Sequence, residues 1–138
     1  MAKTFTAPFA QTPKTGTAVV TAALASLSTD APTGAQLLVT AGAEGAILTK
    51  LTAMPRATVT ASSLCLFLSK DGGATKTLID SELMPAYTLA STTAIPETLF
   101  GNISEATPIR LAAGDEIYVG SQVALAAGIV FFGQMTDY

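Results

Sequence analysis

Short apolar runs separated by turn-forming residues set the pattern of this chain. Val, Leu, Ile and Thr dominate the runs, and Gly, Pro and Asp lie between them, which is typical of β-strands joined by turns. No stretch has comparable support as a helix. We therefore predict an all-β fold, an antiparallel β-sandwich that is jelly-roll-like, with about eight strands. The predicted strands cover residues 17–25, 35–41, 46–54, 57–69, 76–84, 107–112, 115–124 and 128–135.

The alternation of apolar and polar residues is clearest around Ile117 and Val119, which point to one face of their strand. In the run before it, Ile109 and Leu111 also point to one face. Gly114, followed by an aspartate, supplies a turn between the two runs. We therefore predict that these two strands form a β-hairpin.

Two runs, Leu64–Leu68 and Ile129–Phe132, are apolar on both faces. Whichever face packs into the sandwich, the other also needs cover, either from a second layer of the same chain or from another subunit. A chain of 138 residues has few elements to spare for a third layer, so we favour a homo-oligomer and expect a symmetric trimer. The candidate subunit-interface residues are Leu64, Leu66, Leu68, Val130 and Phe132.

Residues 1–16 have no period of either 2 or 3.6, and prolines interrupt them. We predict an extended N-terminal arm here, followed by a single sandwich domain over residues 17–138. A free arm would leave Phe5 and Phe9 in water, so we expect them to dock on this subunit or on another one. A frayed tail is the alternative.

The segment from residue 85 to 107 is long and rich in threonine, without a clear period. Long loops are uncommon in compact domains unless they have a function. Either a short irregular strand lies within residues 89–100, or a loop projects and contacts a partner through Tyr87, Leu99 and Phe100.

Composition changes this picture at the surface. Only 12% of the residues are charged and 49% are hydrophobic, so much of the exterior must be Thr, Ser, Gly and Ala. Such a surface loses little hydration on burial and suits a subunit that neighbours cover. A small soluble domain with an unusually neutral surface is the alternative.

The net charge is −3, and the basic residues are scattered along the chain. This distribution argues against direct binding of nucleic acid. The longest apolar run, residues 123–132, is too short to cross a membrane as a helix, and no secretory signal is recognisable after Lys3. We expect a protein that folds in the cytoplasm and has no membrane partner.

Groups that carry catalysis are scarce. The chain has no histidine, and its single cysteine, Cys65, lies between two leucines, which excludes common nucleophile–base triads and tetrahedral zinc sites. Asp80 and Glu82 share a strand face in the predicted register, but a solvent-exposed face explains this pair better than a catalytic or metal site. We therefore predict no catalytic residue, no metal and no cofactor, and no enzyme activity.

Four segments carry a resemblance to a known group of proteins. They are residues 37–51, the Leu-rich strand with its Asp-Gly-Gly turn at residues 64–73, residues 79–83, and the Leu-x-x-Gly-Asp-x-Ile motif within residues 108–119. Together, over roughly residues 17–135, the chain resembles small virion proteins of tailed bacteriophages, in particular head decoration or cement proteins.

That resemblance implies a β-sandwich that trimerises on the capsid exterior, clamps neighbouring subunits of the major capsid protein, and is assembled in the host cytoplasm. Expected contacts with the capsid or another partner are Phe5, Phe9, Tyr87, Leu99 and Phe100. A structural subunit of the tail or of the head–tail connector is an alternative. Another is a glycan- or receptor-binding fibre module that uses Tyr87, Tyr118 and Tyr138 as platforms.

Overall fold

The computed structural model describes residues 12–138, and all the regular secondary structure in this range is β-strand. The nine strands are β1 (Thr12–Val20), β2 (Gln36–Thr40), β3 (Ala46–Pro55), β4 (Ser62–Ser69), β5 (Thr77–Met84), β6 (Thr98–Leu99), β7 (Ile109–Leu111), β8 (Glu116–Ser121) and β9 (Ile129–Asp137).

Two sheets pack face to face. Sheet A has five strands in the order β1-β9-β3-β6, with β7 also pairing with β3, and sheet B has four strands in the order β2-β8-β4-β5. All pairings between these strands are antiparallel. This order is that of a jelly roll in which β6 and β7 together fill one strand position. The predicted all-β sandwich is confirmed.

The main core lies between the sheets and follows the two-residue period of the strands. In sheet A, Ile129 and Phe131 of β9 and Leu51 of β3 are fully buried. In sheet B, Leu64 and Leu66 of β4 are likewise fully buried in the same core. Alternation therefore decides which residues of β4 and β9 are left for the outer faces.

The sheets approach each other closely where β1 passes β2. A Cβ atom on Gly16 would overlap the Leu38 carbonyl oxygen and the side chain of Val39. Lys14, two residues earlier, donates a 2.6 Å hydrogen bond from Nζ to the Thr40 carbonyl oxygen and so links the two sheets. Glycine at position 16 is required for this close approach.

The outer face of sheet B is covered by residues 21–35, which we call the cover segment. Leu24 and Leu27 of this segment pack against Cys65 and Phe67 on the outer side of β4. The Leu24 amide donates to the Ser121 carbonyl oxygen at 2.8 Å, which fixes the segment to the edge of β8. The doubly apolar β4 is therefore covered within its own chain.

The predicted hairpin of the two strands around residues 109 and 117 is wrong. β7 pairs with β3 in sheet A, whereas β8 pairs with β2 and β4 in sheet B. The turn between them carries the chain from one sheet to the other, and the buried Asp115 carboxylate fixes it by accepting a 2.9 Å hydrogen bond from the Ala112 amide. The turn was recognisable from the sequence, but the sheet to which each strand belongs depends on long-range pairing.

Other parts of the strand map also differ from the sequence prediction. The first strand begins at Thr12 rather than at residue 17, so residues 12–16 pair with β9 instead of belonging to the arm. Pro13 is tolerated because β1 is an edge strand. Within the segment from residue 85 to 107, the short-strand alternative is confirmed for β6, which pairs with β3.

Candidate interaction surface

The outer side of sheet A carries a cluster of apolar side chains, which we call the sheet A face. Val130 and Phe132 of β9 alternate with the buried Ile129 and Phe131, so they point away from the core. Both are half-buried. The complete sheet A face consists of Val19, Met54, Leu99, Val130 and Phe132.

Strand register brings these residues together in two adjacent rows. Val19, Val130 and Met54 are directly paired across β1, β9 and β3. In the next row, Phe132 lies opposite Thr52, which in turn lies opposite Leu99 of β6. Neighbouring strands are about 4.8 Å apart and alternate residues of one strand about 7 Å apart, so the side chains form one continuous patch.

The patch is accessible in the single chain. Val19 is 40% exposed, Met54 37% and Leu99 48%. The largest contiguous apolar patch on a single chain is often an interaction site. The cover segment lies on sheet B, and sheet A has no corresponding cover among residues 12–138.

Cationic side chains surround the patch. Lys50 and Arg110 lie further along the same outer side, opposite Gln134 and Ile47 respectively. At the other end, Arg56 donates a 2.7 Å hydrogen bond from Nε to the Ala127 carbonyl oxygen. Glu97, which is exposed and precedes β6, is an acidic group at the edge of the face.

The structure divides the residues predicted for a subunit interface. Val130 and Phe132 belong to the sheet A face, where a partner could reach them. Leu64 and Leu66 do not fit the prediction, because both side chains are fully buried in the main core of their own chain. Leu68 is half-buried and packs against that core.

The residues predicted to contact a capsid or another partner are also divided. Phe5 and Phe9 lie outside the described residues. Leu99 is exposed on the sheet A face. Phe100 does not fit the prediction, because it is completely buried, with its ring centroid 6.4 Å from that of Phe131. Tyr87 is half-buried, and its hydroxyl lies 3.0 Å from that of Thr93.

Sequence reasoning missed Val19 and Met54. Val19 was assigned to a strand, but the alternation of Thr15, Thr17 and Val19 gives a polar rather than an apolar outer side. These two residues are identified only by strand pairing, because the register of β1 and β3 against β9 places both of them beside Val130.

One open cavity of about 450 Å³ lies beside β7. Its polar lining includes Glu44, Arg110 and Tyr138. In the part of the chain that the structure describes, the Glu44 Oε1 atom is buried without a hydrogen-bond partner, as is Oδ2 of Asp80 on β5. Within residues 12–138, no group of three or more acidic or cysteine side chains could hold a metal ion.

The tyrosines considered as platforms lie on separate elements and are all half-buried. Tyr118 lies on the outer side of β8 beneath Lys76, whose Nζ is 4.8 Å from the ring centroid. Burial, followed by the negative charge of Glu116, raises the pKa of Tyr118. The phenol therefore remains protonated at neutral pH and packs against its own chain.

Two other groups have shifted pKa values. Burial raises the pKa of the Cys65 thiol, which the cover segment shields. The pKa of Asp71 is lowered, first by the hydrogen bond that its carboxylate accepts from the Thr75 amide at 2.8 Å. The Ser69 hydroxyl also donates to this carboxylate, at 3.0 Å. Both pKa shifts therefore arise from packing and hydrogen bonds within sheet B and its turns.

Comparisons with protein-family models, with curated proteins and with solved structures give no match to this chain. Among residues 12–138, there is no helix that could span a membrane.

Proposed function

We propose that this chain is a head decoration protein that oligomerises and binds the major capsid protein lattice on the exterior of a tailed-phage head. The observation that carries the proposal is the sheet A face, an apolar patch left uncovered on a charge-poor sandwich. The resemblance of residues 37–51, 64–73 and 108–119 to small phage virion proteins supports the same function. The jelly-roll topology agrees with it by fold-level analogy alone.

Two different surfaces serve the two kinds of contact in this proposal. The sheet A face, through Val130 and Phe132, contacts another copy of the chain. The loop between β5 and β6 contacts the lattice, because it exposes Leu89 and is a long connection that does not pack over the outer face of a sheet as the cover segment does. Leu83, at 62% exposed, flanks this loop on β5.

Many modest contacts suit such a function better than one strong contact. A specific interface buries about 800 Å² on each partner, and an oligomer that engages several capsid subunits gains avidity without any further contact. The low charge of the exterior keeps the desolvation cost of each contact small.

Head location is the direct test. The chain is quantified by mass spectrometry in heads and in tails that are separated from purified particles of the phage that encodes it. We expect a fixed ratio to the major capsid protein in heads and none in tails. Presence in tails alone would instead identify a tail or connector subunit, and absence from both fractions would reject a virion role.

The loop contact is tested with particles that lack the protein. Purified Leu89→Lys protein should bind such heads at least tenfold more weakly than wild type, because a charge replaces an apolar contact. Thr77→Lys is the matched control, since it adds the same charge at an exposed position on β5. Equal weakening by both variants would indicate a general charge effect and would argue against the loop as the capsid contact.

A further inference from the structure

We propose that the sheet A face of one copy receives the arm of a neighbouring copy, with Phe5 and Phe9 packed on the apolar patch. This inference concerns contacts between copies of the chain and does not rest on the capsid role. The first support is chemical. The patch is apolar and uncovered, and the two phenylalanines precede the first strand in a segment with no apolar period that would bury them.

The size of the face favours an extended segment over a second copy of the whole sandwich. Four strands about 4.8 Å apart, and the length of β1 at about 3.3 Å per residue, give a face of roughly 400 Å². A stable dimer needs about 800 Å² on each partner. The patch alone therefore falls short of the interface of a stable dimer of sandwiches, but it is large enough for a few residues of extended chain.

The spacing of the two aromatic residues matches the patch. Phe5 and Phe9 are separated by four residues, which corresponds to about 13 Å in an extended chain. Thr17 of β1 and Leu99 of β6 end the row that contains Phe132, and they are three strand spacings, or about 14 Å, apart. An arm that crosses the strands can therefore place one ring near each end of this row.

The same crossing would also bring a positive charge of the arm close to a negative charge beside the face. If Phe9 lies towards β1 and Phe5 towards β6, the chain continues past β6 to Lys3. The exposed Glu97 lies at this edge, immediately before β6. The orientation therefore brings together a cation of the arm and an acidic group beside the face.

The chain's own arm cannot place both rings on this row. β1 is already extended at Thr12 and runs from there towards the patch. The row of Phe132 lies about 17 Å from Thr12, whereas Phe9 is three residues away and reaches at most about 10 Å. An arm with both rings on the row therefore comes from another copy, and repetition of this arm-to-face contact closes a ring.

Cross-linking between two tagged full-length variants tests the inference. One carries Phe9→Cys and the other Thr17→Cys, at the exposed β1 end of the row where Phe9 is placed, and they are mixed under mild oxidation. Native Cys65 does not interfere because it is fully buried. We expect a mixed disulfide at least tenfold more abundant than with Leu83→Cys, the control on exposed sheet B surface. Equal yields with the two acceptors would overturn the inference.

A double variant separates the two possible donors. Phe9→Cys and Thr17→Cys placed in one chain should give disulfide-linked oligomers and no cross-linked monomer. A cross-linked monomer that persists on dilution would show that a chain covers its own face, and would overturn the proposal.

The oligomer provides a second measurement. Phe5→Ser with Phe9→Ser should shift the wild-type oligomer to monomer in sedimentation velocity, while the unfolding transition of the sandwich is retained. An unchanged oligomer would overturn the arm as the contact. Arm-to-face cross-linking in a protein that is absent from heads would reject the decoration role alone, whereas a head protein without this cross-link would reject the arm contact alone.

Discussion

At the scale of single residues, Gly16 shows how the lack of a side chain determines packing. Its backbone is not in the left-handed region, so glycine is not needed there for its φ angle. It is needed because the Leu38 carbonyl oxygen occupies the space that a Cβ atom would take. A carbonyl of the backbone cannot rotate away as a flexible side chain can.

We expect Gly16→Ala to lower the free energy of unfolding by about 3 kcal/mol, because the added methyl group forces β1 and β2 apart. Urea denaturation followed by circular dichroism measures this change. Gly101→Ala is the matched control, since a Cβ atom there would meet nothing within 4 Å, and its effect should stay below about 0.5 kcal/mol. Equal effects at both positions would contradict the close approach.

Asp71 gives a prediction for the pH dependence of stability. Its pKa is lowered from 3.8 in the folded chain by hydrogen bonds to the ionised carboxylate, first from the Thr75 amide. The stabilisation is therefore present above pH 3.8 and is lost as the pH falls through the lower folded pKa.

The free energy of unfolding of wild type and of Asp71→Asn, measured against pH, checks this sign. The advantage of wild type should be constant near neutral pH and should shrink in acid. Glu105→Gln, on an exposed loop, controls for the change in net charge. A wild-type advantage that grows in acid would contradict the assignment.

Some residue positions were predictable from the sequence and others were not. Val130 and Phe132 were identified as outward-facing because both alternating sets of β9 are apolar. Phe100 was placed at a surface because its segment has no period, yet its amide donates to the Leu51 carbonyl oxygen at 3.0 Å and its side chain enters the core. A contact across about fifty positions of the chain leaves no local signal.

At the scale of elements, the cover segment determines which apolar strand remains uncovered. Its Leu24 side chain packs over Gly120, where a Cβ atom would lie only 2.6 Å from a Leu24 methyl carbon. It also contacts the cluster formed by Cys65 and Phe67. Sequence reasoning listed a second layer of the same chain as one possible cover, but assigned Leu24 to the first strand, so this cover could not be recognised.

Leu24→Ala should therefore destabilise the fold by roughly 2–3 kcal/mol and should expose the Cys65 thiol. We expect labelling of Cys65 by a thiol reagent in native buffer to become at least tenfold faster. Leu83→Ala, at an exposed position of the same sheet, should leave the rate unchanged. A wild-type thiol that reacts as fast as an unfolded one would contradict the shielding.

At the scale of the whole molecule, the Lys14 side chain links the two sheets beside Gly16. Besides its hydrogen bond to the Thr40 carbonyl oxygen, Lys14 lies 3.4 Å from Oδ2 of Asp137. Asp137 also accepts a 3.2 Å hydrogen bond from the Gly42 amide through Oδ1. Strands β1, β2 and β9 are thereby joined through polar contacts at one end of the sandwich.

Lys14→Met should keep the packing of the side chain but remove these contacts, and should lower the free energy of unfolding by about 1 kcal/mol. Lys50→Met is the control, because Lys50 has no hydrogen bond or ion pair with any residue from 12 to 138 through its side chain. Chemical denaturation measures the free energy of unfolding of both variants. An equal loss in both would contradict the role of these contacts, because it would show that removing either positive charge lowers the stability.

The architecture was predictable because turn residues and apolar runs are local features, and they were sufficient to indicate a two-sheet sandwich. The division of the strands between the sheets was not. β7 and β8 are consecutive and alternate well, which is why a hairpin was predicted, but their partners β3 and β4 are distant in sequence. The sheet A face depends on the same long-range pairings and was predictable only on β9 and, as a partner contact, at Leu99.

The β5 edge of sheet B affects how one copy of the chain can pair with another. β5 ends this sheet, and its register shifts opposite Leu66 and Phe67, which leaves Ile79 out of the ladder. Asp80 and Glu82 follow on the same strand. A distorted, acidic border is a poor template for another strand, so β5 resists edge-to-edge pairing with a neighbouring copy.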